Sequence, residues 1–262
     1  MTATTVNALT MTDVMVRFGE TVVLEHITAS LAAGTLVGVV GPNGAGKSTL
    51  FNAVAGLVPL EQGEVLIHGL PPDQARGRLA YVPQKEDINW RFPLTAREVV
   101  LLGRVHKGRP LSKGRPLSKS RGNDRNLVDE CLNRVGMWNM RNDLVSELSG
   151  GQRQRVFVAR ALAQEADILL LDEAFSGVDI SSQEDVLSVL RNLRDEGKTI
   201  LMATHDLNTL ADRFDEVICI NRHICAYGKP ESVFTKEVLT ELYGSHGGMF
   251  AGHQIGRHDH VD

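Results

Sequence analysis

Cysteine is scarce in this chain, with Cys131, Cys219 and Cys225 the only three in 262 residues and no CxxC pair among them. An odd count without paired spacing argues against a disulfide framework and fits a reducing cytoplasm. All three are expected to be plain buried thiols, with Cys219 and Cys225 flanking a turn at 221–223. Long apolar runs are missing as well. The longest, at 37–40 and 168–171, are strand-sized and fall far short of the ~20 residues that cross a bilayer. The first twelve residues carry neither a basic flank nor an apolar run, so no signal peptide is expected. Nor is there an excess of positive charge. The formal net charge is −4, which argues against a general nucleic-acid binder. Any service to a membrane would go through a partner.

What is present is an α/β alternation. A chain of 262 residues can form one large domain or two small ones, each with a substantial core. Strands are predicted at 14–18, 22–27 and 35–40. The third runs into a glycine-rich loop and a helix over 48–57, closed by Gly56 or Pro59. A short strand pair is predicted at 65–68 and 79–82, and from about Gln84 to Gln164 the pattern turns helical. Buried, parallel-type strands return at 168–172 and 199–204, with a helix at 182–196 between them. A hairpin is predicted at 217–220 and 224–227. An exact tandem repeat, GRPLSK at 108–113 and again at 114–119, lies in a stretch with seven Lys or Arg and one acid between Lys107 and Arg125. It reads as a tolerant surface loop, with contact to anionic lipid headgroups the sharper alternative.

Gly41-Pro42-Asn43-Gly44-Ala45-Gly46-Lys47-Ser48 matches G-x-x-x-x-G-K-[ST], with a strand before it and a helix after it. Glycines allow a tight turn that aims backbone N–H groups into a phosphate-sized concavity. The following helix presents its positive end to the same place. Lys47 adds a charge for the β- and γ-phosphates, and Ser48 a hydroxyl for Mg²⁺. Farther on, the apolar strand at 168–171 ends in Asp172-Glu173. An acid closing a buried strand needs a positive partner. Mg²⁺ supplies one for Asp172, through metal-bound water, while Glu173 is placed to orient or deprotonate the attacking water.

Leu148-Ser149-Gly150-Gly151-Gln152, set between these two motifs, resembles the signature of the ABC ATPases. Ser149 with two glycines at a helix start is itself a phosphate-friendly N-terminus. The other motifs of that family follow in order. Gln84 matches the Q-loop, Ser176-Gly177-Val178-Asp179 the D-loop and His205 the switch histidine. The resemblance covers nearly the whole chain and implies a P-loop NTPase core with a parallel sheet, an N-terminal antiparallel β subdomain and an inserted helical subdomain at about 85–164. The ATPase domain is expected over 1–244 and a flexible histidine-containing tail over 245–262. It further implies ATP held by Phe18, the 41–48 loop and Thr49, and Mg²⁺ held by Ser48, Gln84 and Asp172. Catalysis falls to Glu173, His205 and Gln84. A head-to-tail homodimer follows, in which Leu148, Ser149, Gly150, Gly151, Gln152 and Asp179 reach the other copy's nucleotide. Phe18 stands where the family often has a tyrosine; it can stack on adenine but offers no hydroxyl. Ala174 replaces a frequent proline after Glu173.

The segment Asp87-Ile88-Asn89-Trp90-Arg91-Phe92-Pro93-Leu94-Thr95 resembles the manganese/zinc/iron branch of metal importers, the manganese type first. That implies transmembrane permease subunits, an extracytoplasmic metal-binding protein beyond them, a place at the cytoplasmic side of the cell membrane and no nucleic-acid partner. Importers of iron chelates or cobalamin are the alternative cargo class. A soluble ABC ATPase of DNA repair or translation is the alternative of another kind, although the chain lacks the coiled-coil inserts, zinc modules or second cassette usual there. The tail holds His246, His253, His258 and His260 with Asp259 and Asp262, ligand types for transition metals but in no defined spacing.

Overall fold

Apolar residues at every second position build the N-terminal sheet. In strand β1 (Asn7–Phe18) Leu9 and Met11 are buried, then Val14 and Val16, a one-residue change of phase. A bulge absorbs it: the β1–β2 register shifts between Met11 and Val14, and Asp13 takes a φ of 51°. Strand β2 (Thr21–Ala32) likewise resets between Leu24 and Ile27, with His26 at a φ of 52°. Both strands are therefore longer than the uninterrupted runs predicted for them. Strand β4 (Gln62–Ile67) pairs antiparallel with β1, giving the order β2-β1-β4. The pairing expected between the segments at 65–68 and 79–82 does not occur, because strand β5 (Leu79–Val82) joins the other sheet.

These elements belong to a computed structural model that describes residues 7–75, 77–84, 93–104, 122–173, 180–204 and 213–244. The tail at 245–262 and the GRPLSK repeat lie outside them.

The second sheet has the order β5-β6-β7-β3-β8-β9, with β3 (Leu36–Val40), β6 (Ile168–Leu171), β7 (Thr199–Thr204), β8 (Glu216–Asn221) and β9 (His223–Gly228). All neighbours are parallel except β8 and β9, which form the predicted hairpin. Its central strands read as unbroken apolar runs because both faces are covered. Val37, Val39, Ile168, Leu170, Leu201 and Ala203 point into one core, shared with the N-terminal sheet and helix α1 (Lys47–Val54). Leu36, Val40, Leu169, Leu171, Ile200 and Met202 point into the other, shared with the helices.

Those helices are α2 (Ala96–Leu102), α3 (Gly122–Arg134), α4 (Gly150–Ala163) and α5 (Ile180–Asp195). Thr95 and Glu98 cap α2 reciprocally, as Ser149 and Gln152 cap α4. Arg97 pairs with Asp129, and Arg104 with Asp124 at 3.1 Å and Glu165 at 2.7 Å, which ties the insert together. Two short helices, α6 (Pro230–Val233) and α7 (Lys236–Tyr243), close the described chain against the β8–β9 hairpin.

Candidate nucleotide site

The parallel strands β3, β5 and β6 end together, and a cavity of about 550 Å³ opens there. It is the place where such sheets bind ligands. Asn43, Gly44, Gly46, Lys47, Ser48 and Thr49 line one side, and Gln84 and Glu173 the other, with Val23 of β2 at the edge. The loop between β3 and α1 and the acid Glu173 after β6, 126 residues apart between Lys47 and Glu173, thus share one space.

The glycine pattern has specific causes. Gly46 takes a φ of 100° as the N-cap of α1, so no side chain caps that helix and its first N–H groups are left for a ligand. A Cβ on Gly46 would also meet Leu24 Cδ2 at 2.7 Å. Gly41 is confined by backbone: a Cβ there would stand 2.2 Å from the carbonyl oxygen of Ile220. Gly41→Ala is therefore expected to destabilise the fold by about 1–3 kcal/mol, read as a lower melting temperature. An unchanged melting temperature would mean the hairpin yields freely.

Lys47 is 5% exposed and donates from Nζ to the carbonyls of Gly41 at 2.8 Å and Pro42 at 3.1 Å. An ammonium has three donors, and the remaining one faces Glu173 Oε1 at 3.6 Å. Gln84 Nε2 donates to the other oxygen of Glu173. Glu173 itself has a φ of 46°, a left-handed backbone unusual for a residue with a side chain. Such strain, on the order of 1 kcal/mol or more, is typical of positions where a side chain must be aimed.

Asp172 is 1% exposed, and burial holds its pKa above the ordinary carboxylate value, offset in part by the Ser48 hydroxyl. The neighbouring Glu173 charge pushes the same way as burial. Tyr81 donates to Asp172 Oδ2 at 3.4 Å, while Oδ1 is buried with no hydrogen-bond partner. A buried carboxylate oxygen with nothing to accept is costly. A hard cation beside Ser48 would satisfy it, so the donor set fits Mg²⁺.

The remaining expected residues divide clearly. Gly41, Pro42 and Ala45 belong to the same loop. Phe18 stands 51% exposed at the β1–β2 turn and does not line the cavity. Residues 148–152 do not line it either. Ser149 and Gly150 are exposed at the start of α4, and Gly151 is buried. Asp179, His205 and the segment at 87–92 lie outside the described residues.

Three features had no sequence signal. Tyr81, held edge-on against Phe51 with ring centroids 6.3 Å apart, reaches Asp172 only because β5 pairs with β6. Val23 reaches the cavity from the other sheet. Arg222, at the tip of the β8–β9 hairpin, donates its N–H to Ala45 O in the glycine loop at 2.9 Å. Cys131 and Cys219 are buried as expected, but Cys225 is only half-buried, because β9 is an edge strand.

A strand, glycine loop and helix, with paired acids at the end of a parallel strand two places away in the same sheet and an inserted helical region beside them, define a P-loop ATPase. The sequence profile described as "ABC transporter" matches residues 24–176. The manganese transport system ATP-binding protein MntA of Synechocystis sp. is 44% identical over 223 residues, 84% of this chain and 84% of that protein. The zinc transport system ATP-binding protein TroB of Treponema pallidum is 40% identical over 240 residues, 92% and 88% of the two chains. Among solved structures, cbiO1 of Clostridium perfringens, part of the ABC transporter complex cbiONQ, superposes with a TM-score of 0.74 at 26% identity, covering 93% of this chain and 98% of that one. A nucleotide-free ATP-binding cassette from an ABC transporter gives a TM-score of 0.77 at 23% identity, over 90% and 94%. The chain belongs to the ABC transporter family, as an ATP-hydrolysing subunit. No helix among the described residues is long and apolar enough to cross a membrane.

Proposed function

We propose that this ATP-hydrolysing subunit powers uptake of a divalent metal ion, manganese first and zinc second, through a separate permease. The cargo reading rests on the relatives: proteins named for manganese and zinc transport align over 84–92% of the chain at 40–44% identity. The subunit works at the cytoplasmic side of the membrane, held by the permease, with an extracytoplasmic metal-binding protein as the indirect partner.

The chemistry is carried by one observation: the cavity gathers the phosphate loop, Gln84 and Glu173 but nothing from 148–152. It is half a site. The N–H groups at the start of α1 and the Lys47 ammonium hold the phosphates of ATP. Ser48, Asp172 and Gln84 hold Mg²⁺, which when bound neutralises phosphate charge. Glu173, aimed by its backbone and by Gln84, takes the proton of the attacking water, and His205 contacts the γ-phosphate. Residues 148–152 and Asp179 of a second copy close the other side, and Phe18 stacks on adenine. Ser149 and Gly150, exposed at the start of α4, support that part, since this helix start is open to a second copy. Nucleotide binding then draws two copies together, and hydrolysis lets them part, moving the permease between its two orientations.

Removing the gene is expected to lower cellular manganese, measured as total metal by mass spectrometry. Normal manganese and zinc with impaired iron-chelate or cobalamin uptake would move the cargo to that class. Normal metal content with defective repair or translation would sink the transport reading altogether.

A further inference from the structure

The β8–β9 hairpin carries a second group of ligating side chains, away from the cavity and unused by ATP chemistry. His223 and Cys225 lie two apart on β9, and the register shift that sets Ile224 opposite Ile220 but Ala226 opposite Cys219 leaves Cys225 as the extra residue of a bulge. Helix α7 lies against that hairpin and brings Glu241 up to His223, where Glu241 Oε1 and His223 Nε2 stand 2.8 Å apart. Cys225 Sγ completes the group: the three ligand atoms all lie within 4.8 Å of one another. Asn221 Nδ2 donates to the backbone carbonyl of Glu241 at 3.4 Å, which holds this turn of α7 on the hairpin.

As a surface ion pair, His223–Glu241 would contribute little to stability, and it would not require a thiol at its side. As a metal site, the three residues are a matched set. Zinc bonds to nitrogen, oxygen and sulfur are about 2.0–2.3 Å long, which places tetrahedral ligand atoms roughly 3.3–3.8 Å apart. To reach that spacing the His223–Glu241 pair, at 2.8 Å, opens by about 0.5 Å and the thiol closes in by up to about 1 Å. The side chains of His223 and Glu241 are 49% and 45% exposed, so both can turn inward and an ion can enter. Thiolate with imidazole selects zinc, cobalt and similar ions over magnesium or manganese. Three protein ligands leave one position for water.

The position also connects to the nucleotide loop. Arg222, next to His223, has a φ of 64° and donates its N–H to Ala45 O at 2.9 Å, while its own carbonyl accepts from Glu25 N at 2.8 Å. Drawing His223 toward an ion pulls on the residue that braces the glycine loop. We propose that His223, Cys225 and Glu241 bind a zinc-class divalent ion, and that its occupancy is felt at the nucleotide loop through Arg222. The ion enters with loss of the Cys225 thiol proton to solvent, and His223 ligates as neutral imidazole through Nε2 with its proton on Nδ1.

The test uses the full chain with Co²⁺ and Zn²⁺ as probes. Co²⁺ should produce a thiolate-to-cobalt charge-transfer absorption that Zn²⁺ abolishes. Cys225→Ser should remove it, and Glu241→Gln should weaken Co²⁺ binding roughly tenfold or more. Replacing His246, His253, His258 and His260 by alanine should leave it in place. No absorption in the natural chain, an absorption surviving Cys225→Ser, or one lost with the tail histidines would each overturn the site. With Mg²⁺ present, one equivalent of Zn²⁺ should shift the ADP Kd about fivefold in the natural chain and not in Cys225→Ser, whose ADP binding also shows that it is folded. Equal shifts in both, or none in either, would overturn the link to the nucleotide loop.

Discussion

Glu173→Gln is expected to cut ATP turnover by about 10²- to 10⁴-fold while ATP stays bound. The carboxylate follows β6 directly, in the wall opposite the glycine loop, and receives the Gln84 amide. A glutamine of the same size can still accept that bond through its own oxygen, so the cavity keeps its shape. What disappears is the negative charge able to take a proton from water. The phosphates keep Lys47 and the α1 N–H groups, and one negative charge 3.6 Å from Lys47 is gone, so affinity should hold or rise. Because bound ATP is no longer consumed, the two-copy form should accumulate and be visible by gel filtration with ATP. Near-normal turnover would take the base role away from Glu173.

Lys47→Ala should act on binding first. The ammonium is 5% exposed and already committed to Gly41 and Pro42 carbonyls, so it is held rigidly over the cavity rather than sampling solvent. Hydrogen bonds to charged groups are worth about 1.5–3 kcal/mol, which corresponds to roughly 10- to 100-fold weaker ATP binding. The two carbonyls also lose their donor, so the loop itself should loosen and the melting temperature fall. Undiminished ATP affinity, measured by calorimetry in Mg²⁺, would contradict the phosphate role of the loop. The two variants separate cleanly, since one should spare affinity and the other should lose it.

The parts that were legible in the sequence are those whose physics is local. The 41–48 loop announces itself because a phosphate cradle needs glycines where side chains would clash, as at Gly41 and Gly46, and a lysine and hydroxyl at set distances along one turn. Strands β6 and β7 were readable because both faces are buried, which leaves an apolar run with acids at its end. The N-terminal strands were read short. Bulges at Asp13 and His26 shift the alternation by one residue, so the periodic signal breaks although the strand continues. The false pairing of 65–68 with 79–82 has another origin: strand partners are set by sheet assembly, and β4 and β5 go to different sheets.

By its own order of residues the chain determined the fold class, the phosphate loop and the acids meant to face it, since each rests on chemistry contained in a few consecutive positions. Only the tertiary structure decided that Gln84 touches Glu173, that Tyr81 reaches Asp172, and that residues 148–152 stay out of the cavity. It also took the three-dimensional chain to set His223, Cys225 and Glu241 side by side. Those are meetings of residues on different elements, governed by sheet order and helix docking, and spacing along a single chain carries no measure of them.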